Sequence, residues 1–345
     1  MTLTEREIFS QQEALERALE AFSARREQLG AYISPEQKRY VFVGCGSSHM
    51  MAQSAARAFA LEPGVSAYAL AGGDYLLAPE DYRGMVEGSV VVFFSRSGAT
   101  GELLRAAETM RTVDGVRILT VTMAEQSPLE ALSHCTLAMP WAHDQSVCQT
   151  RSVTTFYTVI LLLWALYRGD AALEEDVAKA ARGSTARLES LRPALRDLTH
   201  GGFTDVVVLA DGVLCGIAAE AALAFTEVCM VSGKSFHLLD YRHGPKVLGS
   251  PDTLYLLVVR PQGQQLQRDM AADVAATGGT VVLLCPREHT SGWDAGLVIP
   301  CDAARFASYG IPLIQAAQVL ALERALHTGI DPDHPKGLDS FITLK

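Results

Sequence analysis

The sequence predicts an α/β fold built on parallel sheets with helices on both faces. Three observations carry this. Short unbroken runs of Val, Ile, Leu and Phe recur along the chain, helix-length amphipathic stretches separate them, and the succession of elements starts again after Leu198. A strand covered on both faces has no solvent side, so it reads as a continuous apolar run and not as an alternation.

The elements follow in order. Strands are expected at Tyr40–Val43, Val65–Leu70, Val90–Phe94, Arg117–Thr122 and Cys135–Met139, with helices at Ser48–Ala60, Gly101–Arg111 and Ser152–Arg168. A charged, helix-favouring segment, Asp170–Leu198, bridges to a second set. Its strands are expected at Asp205–Ala210, Ser235–Leu239, Thr253–Val259, Thr280–Cys285 and Leu297–Pro300, and its helices at Gly216–Met230, Gln264–Ala276 and Ile311–His327. Five strands, a connecting helix and five more strands form an internal repeat of architecture. Each half opens on a strand that runs into small residues, Val41-Phe-Val-Gly-Cys-Gly-Ser-Ser48 and Val207-Val-Leu-Ala-Asp-Gly212. Such turns at the carboxyl ends of strands are where open α/β sheets bind ligands.

Composition bounds the function. With 345 residues, 49% hydrophobic and 20% charged, the chain has the length for two domains and the material for a sizeable core. A net charge of −10, without a Lys/Arg run, argues against nucleic acid as a partner. The seven cysteines are odd in number and include no C-x-x-C pair, which points to a reducing compartment and no zinc site. Thr2–Arg26 is charged and helical in pattern, unlike a signal peptide, and the apolar stretch Val159–Tyr167 is too short to span a bilayer. A cytoplasmic protein without a membrane partner is expected.

The clearest chemical signal is Ser95-Arg-Ser-Gly-Ala-Thr100, between the apolar run Val90–Phe94 and a helix beginning at Gly101. Free N–H groups of a first helical turn and the helix dipole favour an anion, and Ser95, Ser97 and Thr100 add hydroxyl donors. These residues could surround a phosphate without a lysine; the other reading is that they only cap the helix. Gly44-Cys-Gly-Ser-Ser-His49 lacks the third glycine of a dinucleotide fingerprint and has no clear acidic ribose partner downstream, so a nicotinamide site is the weaker reading.

Four motifs in order, Gly44-Cys-Gly-Ser-Ser48, Ser95-Arg-Ser-Gly-Ala-Thr100, Thr150-Arg-Ser-Val-Thr-Thr155 and Tyr241-Arg-His-Gly-Pro-Lys246, resemble those of the sugar isomerase (SIS) family. Their spacing is similar to a tandem pair of SIS domains, as in the isomerase half of glutamine–fructose-6-phosphate aminotransferases without the glutaminase domain. The likeness runs from Glu5-Arg-Glu-Ile-Phe-Ser-Gln-Gln12 to Asp331–Leu338. It implies two flavodoxin-like three-layer αβα domains, each with a five-stranded parallel sheet: a helical lead-in over 1–30, a phosphosugar-binding domain over 31–182 and a catalytic domain over 183–345. It also implies phosphate binding by Ser95, Ser97 and Thr100, a phosphate or sugar contact from Arg96, and a hydrogen bond from Ser48 to sugar hydroxyls. The third motif adds Thr150 and Ser152 to the substrate-binding set. No cofactor or metal is implied.

Glu227 is expected on a helix among Ala, Leu, Phe225 and Cys229, where desolvation would raise a carboxylate toward the range of a general base. A lone helix glutamate is more often partly exposed, but by the resemblance Glu227 stands where the base moves a proton between C1 and C2 of the sugar. His243, sixteen residues on, matches the histidine that opens the sugar ring and reaches a neighbouring subunit's site, which implies a homodimer. His237 and His49 are expected in packing or rim contacts.

Two departures narrow the chemistry. Ala224 stands where the aminotransferases place a lysine three residues before the base, and Leu338-Asp-Ser340 stands where they read Leu-Ala-Lys with the Schiff-base lysine. Lys336 and Lys345 are nearby but displaced. The sequence therefore leans toward an enzyme acting on a hexose or hexosamine 6-phosphate by ring opening and C1–C2 proton transfer, with isomerisation or ammonia release as the outcome. Hexosamine-phosphate deaminases, galactosamine/tagatose-type isomerases and fructosamine-phosphate deglycases all fit. The alternative is a non-catalytic phosphosugar sensor.

Overall fold

The computed structural model describes residues 1–344. Its backbone divides into two compact units. One comprises Ser10–Gln145, Gln149–Ala181 and the segment from Asp339 onward; the other comprises Met1–Phe9, Ser146–Cys148 and Arg182–Leu338.

The unit that begins at Ser10 is built on β1 (Arg39–Gly44), β2 (Ser66–Ala71), β3 (Val90–Ser95), β4 (Arg117–Thr122) and β5 (Cys135–Ala138). They form one sheet in the order β2-β1-β3-β4-β5 with every neighbouring pair parallel. The two-residue period of a strand sorts its side chains. Val41, Val43, Val91, Phe93 and Ile118 pack with Leu103, Ala106, Ala107 and Met110 of the Gly101–Met110 helix. Tyr40, Phe42 and Phe94 alternate with these and meet Phe59, Phe156 and Tyr167 in an aromatic layer, with ring centroids 4.8 Å apart for Tyr40 and Phe59. Each such ring contributes about 1.5–3 kcal/mol on full burial, so the sheet is held from both faces.

The other unit carries β6 (Asp205–Ala210), β7 (Ser232–His237), β8 (Thr253–Val258), β9 (Thr280–Pro286) and β10 (Leu297–Cys301), in the order β10-β9-β8-β6-β7 and again all parallel. Counted within each unit, both sheets run fifth, fourth, third, first, second, so the repeat in the sequence is a repeat of topology. One face packs on the Gln264–Ala275 helix through Met270, Ala271 and Val274. The other carries the Cys215–Cys229 helix, against which the Gly310–Thr328 helix packs. In both units the first strand lies between the second and the third, which puts the switch point at the carboxyl end of β1 in one and of β6 in the other.

Two expected elements differ. The edge strand β7 covers Ser232–His237 and not Ser235–Leu239; it is half exposed along most of its length, so nothing selects an apolar run there. The bridging segment is two helices, Ala171–Arg182 and Ser184–Thr199, interrupted at Gly183. Residues 212–229 are long and apolar enough to cross a membrane by composition, but 67% of that stretch is buried inside the protein as a core helix.

Candidate functional site

The carboxyl ends of β1 and β3 frame the site. At the end of β1, a Cβ on Gly44 would strike the carbonyl carbon and oxygen of Ser48, so only glycine allows the chain to turn there. Gly46 follows at φ +54° and caps the Ser47–Phe59 helix. Ser47 and Ser48 are thereby held, buried, in the first helical turn. Cys45 lies half-buried beside them, its thiol pushed up to about 11 by burial and by the neighbouring Glu102 charge.

The Ser95–Thr100 loop turns on Gly98, at φ +61°. A Cβ there would overlap the Ser127 side chain. The Gly98 N–H donates to Ser95 Oγ at 3.0 Å, the Ala99 N–H donates to Ser97 Oγ at 3.1 Å, and the Gly98 carbonyl accepts from the Leu129 N–H at 3.0 Å. Thr100 is the N-cap residue of the Gly101–Met110 helix, yet its hydroxyl makes no capping hydrogen bond. Capping therefore does not account for this threonine. Ser95 and Arg96 are buried, while Ser97, Ala99 and Thr100 are half-buried and form the open side of the loop.

The chain returns to this loop at its far end. The Arg96 guanidinium donates to the Ser340 carbonyl at 2.6 Å, and the Gly101 N–H donates to the Ile342 carbonyl at 3.0 Å. Leu344 lies close against Gly101. The Arg96 charge also reaches His143, whose imidazole is held below its ordinary value first by burial and then by that cation. Position 340, where the aminotransferase-like pattern calls for a lysine, is thus a serine placed beside the loop. Lys336 is exposed in a turn of the other unit, and Lys345 lies outside the described residues.

Thr150 and Ser152 have a different environment from the expected substrate contact. Both are buried at the start of the Arg151–Arg168 helix, and both hydroxyls donate to the carboxylate of Asp144, Thr150 Oγ1 at 2.9 Å. Asp144, fully enclosed, also accepts from the backbone N–H groups of Thr150, Arg151 and Ser152 at 3.1–3.2 Å. One carboxylate thus serves as the cap of this helix, and the two hydroxyls are committed to holding it.

In the other unit, Glu227 lies near the end of the Cys215–Cys229 helix and is half-buried. The fully buried acid of that helix is Glu220, two turns earlier on the same face, which the sequence reading passed over among its alanines. Ala224 lies between them and is also buried. His243 ends a short 3-10 turn, Asp240–His243, and is exposed. Arg242 and Lys246 on either side of it reach Asp273 of the Gln264–Ala275 helix, at 2.6 and 3.2 Å, and fix this turn to its unit. Of the remaining histidines, His49 is half-buried against Gln53 and His237 is exposed at the end of β7.

The fold and the loop define a class. Residues 35–167, in the unit that holds the Ser95–Thr100 loop, match the family model of the SIS domain. Over 97% of its length the chain is 28% identical to the D-galactosamine-6-phosphate deaminase AgaS of Escherichia coli, of which it covers 91%. It is 27% identical over 74% of its length to the glutamine–fructose-6-phosphate aminotransferase of Yersinia pestis, and spans 44% of that protein. Among solved structures, the tagatose-6-phosphate ketose/aldose isomerase of Escherichia coli superposes with a TM-score of 0.81 at 25% identity, covering 97% of each chain. A glucosamine-6-phosphate deaminase from Thermotoga maritima shares the fold, with a TM-score of 0.83 at 22% identity, covering 99% of this chain and 100% of that one.

Proposed function

We propose that the protein is an enzyme acting on a hexose or hexosamine 6-phosphate, by ring opening and proton transfer between C1 and C2, ending in isomerisation or release of ammonia. The observation that carries this is the loop at the end of β3. Its backbone is organised by Ser95 and Gly98, its Thr100 hydroxyl is not used for capping, and a helix N-terminus stands behind it. Ser95, Arg96, Ser97 and Thr100 are assigned to the phosphate and Ser48 to sugar hydroxyls. Thr150 and Ser152 are assigned a supporting role through Asp144. Glu227 is assigned as the base and His243 as the group that opens the ring, an imidazole being suited to accept and return a proton near neutrality. The deaminase and isomerase names of full-length relatives agree with this class of substrate.

Serine at position 340 disfavours the covalent-imine route. Proton abstraction at C2 needs no lysine: removal gives an enediol from a sugar, or an enolamine from an amino sugar, which takes a proton at C1 to become an imine that water hydrolyses to the ketose and ammonia. We also assign the second unit as a further SIS domain, because its strand order repeats that of the first; the division into 31–182 and 183–345 behind the lead-in 1–30 is proposed on that ground, although Met1–Phe9 and Ser146–Cys148 group with the second unit and the segment from Asp339 onward with the first. A cytoplasmic homodimer is part of the same reading, resting on seven cysteines that are not joined in disulfides and on the exposed His243.

The test is a panel of hexose and hexosamine 6-phosphates, followed for ketose formation and for ammonia. Glu227→Gln is expected to bind the best substrate but to lose at least about a hundredfold in turnover. Full turnover by that variant would remove the assignment. Binding by the wild type with no turnover across the panel would leave the sensor reading in its place.

A further inference from the structure

Two chemistry-bearing side chains from different elements meet at the carboxyl edge of the second sheet. β6 and β7 pair in register with Ala210 opposite His237, so both strands end together. Five residues after Ala210, Cys215 opens the Cys215–Cys229 helix. Its Sγ lies against the His237 imidazole, 3.5 Å from Nδ1 and 3.9 Å from Nε2. Cys215 is half-buried and His237 exposed, so solutes have access to the pair.

We propose that Cys215 and His237 form a modifiable thiol site whose reactant is a small hydroperoxide, hydrogen peroxide being the simplest. The imidazole accepts the thiol proton, and the helix N-terminus stabilises the thiolate that remains. That sulfur attacks one peroxide oxygen. An S–O bond forms as the O–O bond breaks, the departing hydroxide takes the proton from the imidazolium, and water leaves. Sulfur is oxidised by two electrons to a sulfenic acid and the peroxide is reduced by two. The other cysteines offer poor competition. Cys135, Cys148, Cys229, Cys285 and Cys301 are buried, and the half-buried Cys45 is held as a thiol by burial and Glu102. The site does not depend on the phosphosugar reading.

The experiment treats the full-length protein with one equivalent of hydrogen peroxide at pH 7, traps sulfenic acid with a dimedone-type probe, and maps the label by peptide mass. The label is expected on the Cys215 peptide before any other and to be absent from that peptide in Cys215→Ser. In His237→Asn, a surface change, its rate should fall about threefold or more, because the proton acceptor for the thiol is gone. First labelling at Cys45, or an unchanged rate in His237→Asn, overturns the proposal. The wild-type map and the His237→Asn rate decide the matter even where Cys215→Ser folds poorly.

Discussion

Arg96 and Ser340 are joined by a hydrogen bond of 2.6 Å from guanidinium to backbone carbonyl, across 244 residues of sequence. With the bond from the Gly101 N–H to the Ile342 carbonyl, it lays the chain's last residues over the donors of the Ser95–Thr100 loop. The N–H groups used in these two bonds are withheld from an anion. A chain ending at Leu338 removes both carbonyls, and inorganic phosphate is expected to bind about fivefold more tightly, since one hydrogen bond nets ~1 kcal/mol. Calorimetric titration of both forms measures it. Equal or weaker binding by the truncated chain would show that these donors do not face the anion.

Gly98 sets the shape of the same loop. Its φ of +61° is costly for any residue with a Cβ, and that Cβ would also overlap Ser127. Gly98→Ala is therefore expected to destabilise the protein by about 1–3 kcal/mol and to abolish phosphate binding at concentrations that saturate the wild type. Urea unfolding gives the first quantity and titration the second. An alanine variant with normal affinity would mean that the loop does not need this turn.

What the sequence showed and what it did not follow from the range of the interactions involved. β3 was readable because six consecutive residues, Val90–Ser95, are all buried, and that demand leaves an apolar run followed by an abrupt change to hydroxyls. The helix starting at Gly101 was readable for the same local reason. The bounds of β7 are not legible because an edge strand satisfies its backbone on one side only and tolerates Ser-Gly-Lys-Ser over its first four positions. Asp144 escaped notice because its five donors belong to the next helix, and a lone Asp in a loop has no periodic signature. The Ser340 contact has no local signal at all. For Thr150 and Ser152, the residue types were conspicuous, but only coordinates show that their hydroxyls are turned to a carboxylate.

Asp144 supplies a sharp test of that arrangement. Its removal leaves three backbone N–H groups and two hydroxyls without their acceptor in a buried place. Asp144→Ala is expected to cost about 3 kcal/mol or more, whereas Thr150→Val, losing one of the five donors, should cost about 1 kcal/mol. Denaturant midpoints at constant slope report both. Equal costs for the two substitutions would contradict a carboxylate-centred cap.

The second unit carries a different buried acid, and its pH dependence has a definite sign. Glu323, almost wholly enclosed on the Gly310–Thr328 helix, accepts from Arg192 Nε at 2.5 Å and Arg196 Nε at 2.7 Å, while Arg192 also reaches Glu5 at 2.6 Å. Burial alone would raise the Glu323 carboxyl, but the hydrogen bonds from Arg196 and Arg192 outweigh it and hold the group below its ordinary 4.5. The folded chain therefore gives up this proton more readily than the unfolded one. The stability it contributes is complete above the unfolded value and is lost as pH falls through the folded one. Glu323→Gln, which leaves Arg192 with Glu5 alone and takes from Arg196 its ion pair, is expected to cost about 1–3 kcal/mol near pH 7. The gap between variant and wild type should narrow once pH drops below about 4. Urea unfolding at pH 7, 5 and 3.5 follows it directly, and a gap that stays constant down the series would mean that the ion pairs, although short, contribute nothing that titrates.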